Sequence, residues 1–361
     1  MVVAGLSLAM GLVAAGSAFA GPYSNFGTVV PTIVAGAPPD SPAARVDPNL
    51  PTSPFSGVVS INIRYNGLSF ICSGTLVSAR DVVTAGHCVD TDGQGHLIDI
   101  TQAGNDVRVV FNSQPNPGDP GRAIITADAV YMNPFYQGFG NCPYPTATDF
   151  CVNDDIAVIH MNTDAPATAK IYSMLAGVVT VGQNDTMAGY GRSGDGLNGY
   201  TTGPDFRIKR SGQNVMDLFD LDDEQHFASG PQEVWYSDFD GTDAAGVLQD
   251  TFCTLFGVCT PIYANDVETN IGGGDSGGPS FYHASNGDYL LMGNNTFGGT
   301  FQGQVPGSFG TYFGGILLSS YIPWIQEVTD NRITLVPEPS TYALLFLALG
   351  LMGFAVRRNN G

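Results

Sequence analysis

The most constraining stretch of this 361-residue sequence is Gly-Gly-Gly-Asp-Ser-Gly-Gly-Pro at residues 272–279. Glycine lets the backbone adopt positive φ and lets another segment approach closely, so we expect Ser276 on a tight, exposed turn. The N–H groups of such a turn can point at an anion. A serine hydroxyl becomes an effective nucleophile only when a base takes its proton, so the stretch predicts a histidine partner.

His87 is the histidine with an informative setting among the five in the chain. It lies in Val-Val-Thr-Ala-Gly-His-Cys-Val at residues 82–89, which is typical of a buried strand that delivers an imidazole to a cleft. An acid that orients the ring is expected among apolar residues, and Asp155 heads such a run at residues 155–159. A carboxylate there is costly to bury unless it is paired, and an imidazole N–H is a suitable partner.

Residues 274–278 also fit the Gly-x-Ser-x-Gly pattern of α/β-hydrolases. That fold requires the order serine, acid, histidine. After Ser276 the only histidine is His283, and no acid lies between the two. The α/β-hydrolase interpretation therefore fails.

In their order, Thr-Ala-Gly-His-Cys, Asp-Asp-Ile-Ala-Val and Gly-Asp-Ser-Gly-Gly-Pro resemble the three signature blocks of trypsin/chymotrypsin-like serine endopeptidases. The resemblance covers residues 46–328. It implies an all-β fold of two packed antiparallel β-barrels with a short C-terminal helix. It also implies a triad in which His87 is the general base, Asp155 orients it and Ser276 is the nucleophile. The N–H groups of Gly274 and Ser276 would form the oxyanion hole, and the substrate would be a protein or peptide.

Counting back from Ser276 places the family's pocket-base position at Asn270. An Arg or Lys side chain would meet no buried counter-charge there, so we do not expect strict trypsin specificity. The other specificity-pocket residues that the resemblance implies are Thr296, Phe297, Gly298 and Gly310. The two glycines predict a pocket that is open to large side chains.

In this family, propeptide cleavage creates an ammonium group that pairs with the acid before the nucleophile, which is Asp275 here. Residues 21–45 are rich in Pro, Ala and Gly, and we interpret them as a propeptide or flexible arm. The preferred new N-terminus is Val46, which follows a basic residue at a family-like distance from His87. Ile33 is the alternative, because it opens the family-like sequence Ile-Val-Ala-Gly. A third interpretation is that Asp275 pairs internally and no processing is needed.

The six cysteines form three near pairs along the chain, and such pairs can form disulfides in an exported protein. The pairs are Cys72 with Cys88, Cys142 with Cys151, and Cys253 with Cys259. The first pair corresponds to the family's bridge beside its histidine, whereas the other connectivities stay open. No cysteines show CxxC spacing, and we expect no metal site at them.

Both ends carry sorting signals. Residues 1–20 are largely apolar and end Ser-Ala-Phe-Ala, which predicts a signal helix removed by a signal peptidase. Residues 331–361 combine a linker, Val-Pro-Glu-Pro, an apolar helix at 342–356 and two arginines, and closely resemble the PEP-CTERM signal of Gram-negative bacteria. The resemblance implies an exosortase-like processing enzyme and export to the periplasm, cell surface or exterior after transient inner-membrane anchoring. A plain transmembrane anchor is the alternative, although the run is short of the roughly 20 residues that a spanning helix needs.

The chain has 33 acidic and 13 basic residues, for a formal net charge of −20. This balance argues against nucleic acid or an anionic membrane surface as a partner. We interpret residues 194–265 as a solvated acidic insertion in a peptidase domain at 46–330. Its clustered carboxylates are Asp217, Asp220, Asp222, Asp223, Glu224, Asp238, Asp240 and Asp243. Such clusters can bind Ca²⁺, but neither fits an EF-hand loop, so we expect no cofactor, with structural calcium as the weaker alternative. We expect a monomer.

Short β-rich segments separated by turn signals predict barrels. The predicted strands include residues 58–63, 70–77, 108–111, 156–159, 186–191, 289–293 and 312–318, with a helix at 321–328. Asn66-Gly67 predicts a hairpin turn. The sequence therefore predicts an exported serine endopeptidase that works through an acyl-enzyme intermediate. The alternative is a catalytically silent homologue that binds partners at the cell surface, although such relatives usually lose a triad member.

Overall fold

β-Strands dominate the computed structural model, which describes residues 33–143, 151–301 and 303–337. The strands of the first half are β1 (Ile33–Ala35), β2 (Val58–Tyr65), β3 (Leu68–Leu76), β4 (Asp81–Thr84), β5 (Asp106–Val110), β6 (Ile124–Met132) and β7 (Ala157–Met161). Those that follow are β8 (Met174–Ala176), β9 (Gln183–Gly189), β10 (Ser193–Asp195), β11 (Gly199–Thr202), β12 (Arg210–Met216), β13 (Leu218–Leu221), β14 (Gln232–Asp238), β15 (Gly241–Thr242), β16 (Leu248–Gln249), β17 (Pro279–His283), β18 (Tyr289–Gly299), β19 (Tyr312–Leu317) and β20 (Leu335–Pro337). The α-helices are α1 (Thr251–Phe256) and α2 (Ile322–Val328), and 3-10 turns lie at Gly86–Cys88 and Leu318–Tyr321.

Six strands of the first half close into a barrel in the order β2-β3-β4-β7-β6-β5. The barrel closes because β2 pairs with both β3 and β5. Asn66 and Gly67 join β2 to β3 with φ values of 51° and 75°. Asn-Gly favours this left-handed backbone, which matches the twist of the two strands. Apolar side chains such as Val59, Ile61 and Val109 fill the interior and are fully buried. The predicted barrel of short strands is confirmed here.

A nine-stranded sheet forms most of the second half. Its main path runs β12-β9-β17-β18-β19-β14-β13, and β8 and β20 extend it beside β18. The sheet curls back on itself, since Asp217 N, just after β12, donates to Tyr236 O in β14 at 2.8 Å. The short helix α2 follows β19, as predicted. Together with the closed barrel, this mostly-strand architecture agrees with the predicted chymotrypsin-like all-β fold.

A hydrophobic cluster joins the two halves. Phe55 and Ile71 of the first half belong to the same buried cluster as Tyr190, Phe281 and Leu291 of the second. The ring centroids of Phe55 and Phe281 lie 6.3 Å apart. Because burial of aromatic and aliphatic surface is strongly favourable, this contact fixes how the halves meet. The candidate active site lies along the same junction.

The predicted flexible arm is wrong from Ile33 onward. Strand β1 pairs in parallel with β10, and Ile33, Val34 and Ala35 are fully buried. Farther along, the Arg45 guanidinium pairs with Asp40 at 2.6 Å. Hydrophobic burial and this ion pair therefore tie the segment into the fold.

The sequence predicted a solvated acidic insertion, but the structure buries part of it. Asp217, Asp223, Asp238 and Asp240 are all buried. The last residue of the predicted linker at 331–335 belongs to the fold, because Leu335 starts β20 and pairs with Met174 of β8. Tertiary contacts therefore bury residues that composition alone assigns to solvent.

All six cysteines form disulfides, and these join Cys72 to Cys88, Cys142 to Cys151, and Cys253 to Cys259. Of the helices in the described ranges, none has the length and apolar character needed to cross a membrane. The predicted signal helix at residues 1–20 and the predicted hydrophobic helix at 342–356 lie outside those ranges.

Candidate active site

The pairing of β4 with β7 brings His87 and Asp155 together. Thr84, the last residue of β4, lies opposite Ala157, the first residue of β7. The chain beyond one strand end therefore meets the chain before the other. His87 Nδ1 lies 2.7 Å from Asp155 Oδ2, and the His87 backbone N–H donates to Oδ1 at 2.7 Å. Asp155 is fully buried, so these two hydrogen bonds hold its carboxylate in one orientation.

Gly86 makes this close approach feasible. A Cβ atom at this position would lie 3.2 Å from Asp155 Oδ1 and 3.2 Å from Ile156 N. Both distances are tighter than ordinary contacts, and one of the neighbours is backbone. The glycine in Thr-Ala-Gly-His-Cys therefore leaves room for the carboxylate.

The turn that carries Ser276 is fixed against the first barrel. Ser73 N, in β3, donates to Ser276 O at 2.8 Å, and Cys88 Sγ lies 3.8 Å from the same oxygen. Gly277 has φ of 78°, and a Cβ there would lie 2.1 Å from Thr84 Oγ1. The structure thus places Ser276 beside the residue that follows His87. Ser276 is only 6% exposed, whereas the glycine-rich turn predicted an exposed position.

The second nitrogen of the His87 ring is uncommitted. His87 Nε2 is buried and has no hydrogen-bond partner among the described residues, Ser276 included. The His87 and Phe139 rings pack edge to face, with centroids 5.3 Å apart. Hydrogen bonds between a nucleophile and its base are often long without substrate and tighten when it binds. The arrangement leaves this nitrogen free to accept a proton.

Two backbone donors next to Ser276 are also uncommitted. Gly274 has φ of 108°, a conformation that favours glycine. Ser73 Oγ donates to Gly274 O at 2.9 Å, which holds this peptide in place. Within the described part of the chain, neither Gly274 N nor Ser276 N donates a hydrogen bond. An oxyanion that enters the turn would find both donors available.

In the uncleaved chain, backbone N–H groups bind the Asp275 carboxylate, and the ion pair with a new N-terminus at Val46 stays a prediction. Asp275 Oδ1 accepts from Gly191 N at 2.7 Å, and Oδ2 accepts from Gly272 N at 2.8 Å. Val46 is 39% exposed and pairs with Arg210 in an isolated bridge. Burial raises the pKa of the Asp275 carboxyl to about 7, while its hydrogen bonds from Gly272 and Gly191 and the charge of Arg210 lower it. The next residue, Asp47, pairs with the buried Lys209 at 3.4 Å.

Ile33, the alternative N-terminus, starts a strand next to the backbone segments that bind Asp275. Its strand pairs with Ser193, just beyond Gly191. Val34 N donates to Asn270 O at 3.2 Å, just before Gly272. The segment that begins at Ile33 is therefore threaded between the two backbone stretches that bind the Asp275 carboxylate.

The predicted pocket residues lie on neighbouring segments of the second half. Asn270 is buried, and its amide is used on both sides: Nδ2 donates to Thr311 Oγ1 at 2.9 Å, and Oδ1 accepts from Ile271 N at 2.6 Å. Thr296 lies at a register shift of β18 against β19, and its buried Oγ1 has no partner in the described ranges.

The other three pocket predictions differ in exposure. Phe297 belongs to the core, with its ring 5.2 Å from that of Tyr236. Gly298 is exposed, whereas Gly310 is buried with φ of 85°. The Phe297 side chain is therefore directed into the core.

Two further residues of the site were not predicted from the sequence. Ser73 bonds to the backbone of both Gly274 and Ser276. Asn294, buried in β18, donates from Nδ2 to Thr84 O at 3.2 Å and to Asp155 O at 3.4 Å. Each connects segments that are far apart in sequence, and no local pattern marks either one.

One group near the site has the composition of a metal centre. Ligand atoms of Cys72, His87 and Cys88 lie within 4.8 Å of one another. Both sulfurs are consumed in the Cys72–Cys88 disulfide, so neither can act as a thiolate ligand. The group therefore does not have a metal-binding donor set.

Comparison with protein families gives two matches. The family model described as Trypsin matches residues 48–204, a range that includes His87 and Asp155 and ends before Ser276. The PEP-CTERM protein-sorting motif matches residues 335–359.

Residues 48–204 thus carry a match to the trypsin family, and residues 335–359 carry a match to the PEP-CTERM sorting motif. These matches support a trypsin-like serine protease at family level, with peptide substrates and an exosortase-like processing partner. The sorting motif indicates export and sorting in a Gram-negative bacterium. No curated protein matches the chain.

Proposed function

We propose that this trypsin-domain protein is an exported serine endopeptidase that hydrolyses peptide bonds through an acyl-enzyme intermediate. Ser276 is the nucleophile, His87 the general base and Asp155 the acid that orients it. The observation that carries the proposal is the His87–Asp155 contact of 2.7 Å beside the glycine-rich turn of Ser276.

The proposed steps follow from the hydrogen bonds around His87. The Asp155 carboxylate accepts from Nδ1–H, which fixes the tautomer with its lone pair on Nε2. Nε2 takes the Ser276 proton as Oγ attacks the scissile carbonyl. The N–H groups of Gly274 and Ser276 stabilise the resulting oxyanion. His87 then gives its proton to the leaving amine, which leaves the acyl-enzyme. Water, activated by His87 in the same way, attacks the acyl-enzyme and releases the carboxylic acid product.

The proposed specificity excludes a strict preference for Arg or Lys. The Asn270 amide already binds Thr311 and Ile271, and it carries no charge. A cationic side chain buried against it would remain uncompensated. Profiling with a library of peptides tests this point, and cleavage restricted to Arg and Lys would contradict it.

A fluorophosphonate probe tests the catalytic proposal directly. We expect the probe to label wild-type protein and to fail with Ser276→Ala and with His87→Ala. His96→Ala is a matched control, because His96 Nδ1 also lies 2.7 Å from a carboxylate, that of Asp92, but at the surface. Labelling that persists in Ser276→Ala would refute the assignment of the nucleophile.

The second candidate is a catalytically silent protein that binds partners at the cell surface. It is favoured by the missing hydrogen bond between Ser276 and His87 Nε2. Such a protein would bind peptides without being labelled or turning them over. Absence of both labelling and hydrolysis in folded wild-type protein would favour this candidate.

Processing at both ends is part of the proposal. We propose removal of residues 1–20 by a signal peptidase, and of the C-terminal tail after transient anchoring in the inner membrane. Cleavage before Ile33 would create an ammonium group in the interior near Asp275, whereas cleavage before Val46 would not. Mass spectrometry of the exported protein distinguishes these N-termini. An N-terminus at Val46 would contradict the use of Ile33.

A further inference from the structure

Five carboxylates from separate segments between residues 217 and 268 converge inside the second half of the protein. They are Asp217, Asp238, Asp240, Asp250 and Glu268. All but Asp250 are at most 4% exposed, and Asp250 is half-buried. An ionised carboxylate is costly to bury unless a cation or several hydrogen bonds compensate it. The group therefore either binds a compensating cation or is protonated in part.

Three of these side chains have the spacing of a cation site. One oxygen each from Asp238, Asp240 and Asp250 lies within 4.8 Å of the other two. Calcium binds oxygen at about 2.3–2.6 Å, so ligands on opposite sides of one ion are about 5 Å apart. The three oxygens can therefore reach a single ion.

The hydrogen bonds of the trio leave ligand capacity. Phe252 N donates to Asp238 Oδ2 at 2.8 Å, and Cys253 N donates to Asp250 Oδ1 at 3.0 Å. Both donors belong to α1, which Asp250 caps, and they fix the two carboxylates. Asp240 Oδ1 differs, because it is buried without a hydrogen-bond partner in the described ranges. Its residue is only 4% exposed, so solvent does not replace that partner.

The raised pKa values of these carboxyl groups also favour a bound cation. Burial, Asp238, Glu268, Asp250 and Asp217 together raise the pKa of Asp240 to about 10. Burial and the neighbouring carboxylates Asp217, Asp238 and Asp250 raise the pKa of Glu268 to about 8, against a hydrogen bond from Tyr263 N. Every influence named for Asp240 disfavours its charged form. Without a cation, several of these groups would be protonated near neutral pH.

We propose that Asp238, Asp240 and Asp250 bind one calcium ion. The donors are all carboxylate oxygens, which suit hard cations, whereas the thiolate and imidazole donors that favour zinc or copper are absent from the trio. Asp217 and Glu268 add negative charge around the ion. The site would join the end of β14 to the start of α1. Since Thr251 Oγ1 donates to Gly310 O at 2.8 Å, it would also stabilise the segment that leads into β19.

Calcium-dependent thermal unfolding of the full-length chain tests the proposal. A Ser276→Ala background prevents autolysis, and EGTA removes bound metal before CaCl₂ is added. We expect calcium to raise Tm by about 5 °C or more at saturating concentration. Calorimetric titration should give one calcium ion per chain at this site. Magnesium should have a smaller effect, because it demands a tighter octahedral shell.

Substitutions test whether the calcium-dependent rise in Tm comes from this site. Asp240→Asn should abolish the calcium-dependent rise in Tm. Asp250→Asn should also weaken it, and this second variant should fold because asparagine is an equally good helix N-cap. Asp266→Asn is the matched control, since Asp266 is an exposed carboxylate that directly follows the insertion. It should retain the full response.

A second acidic group provides the sharpest contrary outcome. Ligand atoms of Asp222, Asp223, Glu224 and Glu233 also lie within 4.8 Å of one another, and Glu224 is exposed. If Glu233→Gln abolishes the calcium response while Asp240→Asn and Asp250→Asn retain it, the ion binds there and the proposal is wrong. An unchanged Tm at millimolar calcium would also overturn it.

Discussion

Replacing Asp155 with asparagine tests whether the carboxylate orients the His87 ring or only fills a buried position beside it. In the structure, Asp155 Oδ1 accepts from the His87 backbone N–H and Oδ2 lies against Nδ1, both at 2.7 Å. An amide has one oxygen, so one of these contacts must face an NH₂ group. If the ring adapts by shifting its proton to Nε2, that nitrogen can no longer accept the proton of Ser276.

The magnitude follows from the charge that His87 acquires in the proposed mechanism. Opposite charges centred about 4 Å apart interact by about 4 kcal/mol at an effective dielectric constant of about 20. Loss of that interaction in the transition state corresponds to a roughly 1,000-fold lower kcat, because about 1.4 kcal/mol is a factor of ten. The wrong tautomer can only add to this loss.

Hydrolysis of labelled casein and of a cleavable peptide measures the effect, with circular dichroism to confirm folding. Asp92→Asn is the matched control, because it breaks an aspartate–histidine contact of the same 2.7 Å at the surface. Exposed pairs contribute little, so this variant should keep kcat within about twofold of wild type. A folded Asp155→Asn variant whose kcat falls by less than about tenfold would refute the assigned role.

Two further perturbations test packing and buried charge. Gly277→Ala should destabilise the protein by more than about 2 kcal/mol, because its Cβ would lie 2.1 Å from Thr84 Oγ1. Gly287→Ala, which also has positive φ but meets nothing within 4 Å, should cost only about 1 kcal/mol in urea unfolding; equal losses would contradict the steric argument. In EGTA, the raised pKa values of Asp240, about 10, and Glu268, about 8, mean that the folded state binds more protons than the unfolded state above pH about 4. The stability they contribute is therefore fully present below about pH 4 and is lost as pH rises through these values, so Tm of wild type should fall more steeply from pH 5 to 9 than that of Asp240→Asn; parallel curves would contradict this.

Local patterns in the sequence predicted much of the fold. The Asn66-Gly67 turn follows from the positive φ that these two residues tolerate, and the flanking β-branched residues form the expected strands. The setting of His87, at the end of an apolar strand, likewise predicted its place beyond β4. These features depend on neighbours along the chain, so the sequence by itself determined them.

Only the tertiary structure decided what becomes buried. Composition suggested a flexible arm and a solvated insertion, yet Ile33 lies in a sheet, and Asp240 lies in the interior. Asn294 likewise binds Thr84 and Asp155 across the molecule without any sequence signal. The physical reason is that burial, and with it the pKa of a carboxyl group, depends on segments packed from far along the chain. Sequence patterns report the preferences of a residue and its neighbours, whereas the cost of burying a charge is set by what surrounds it in space.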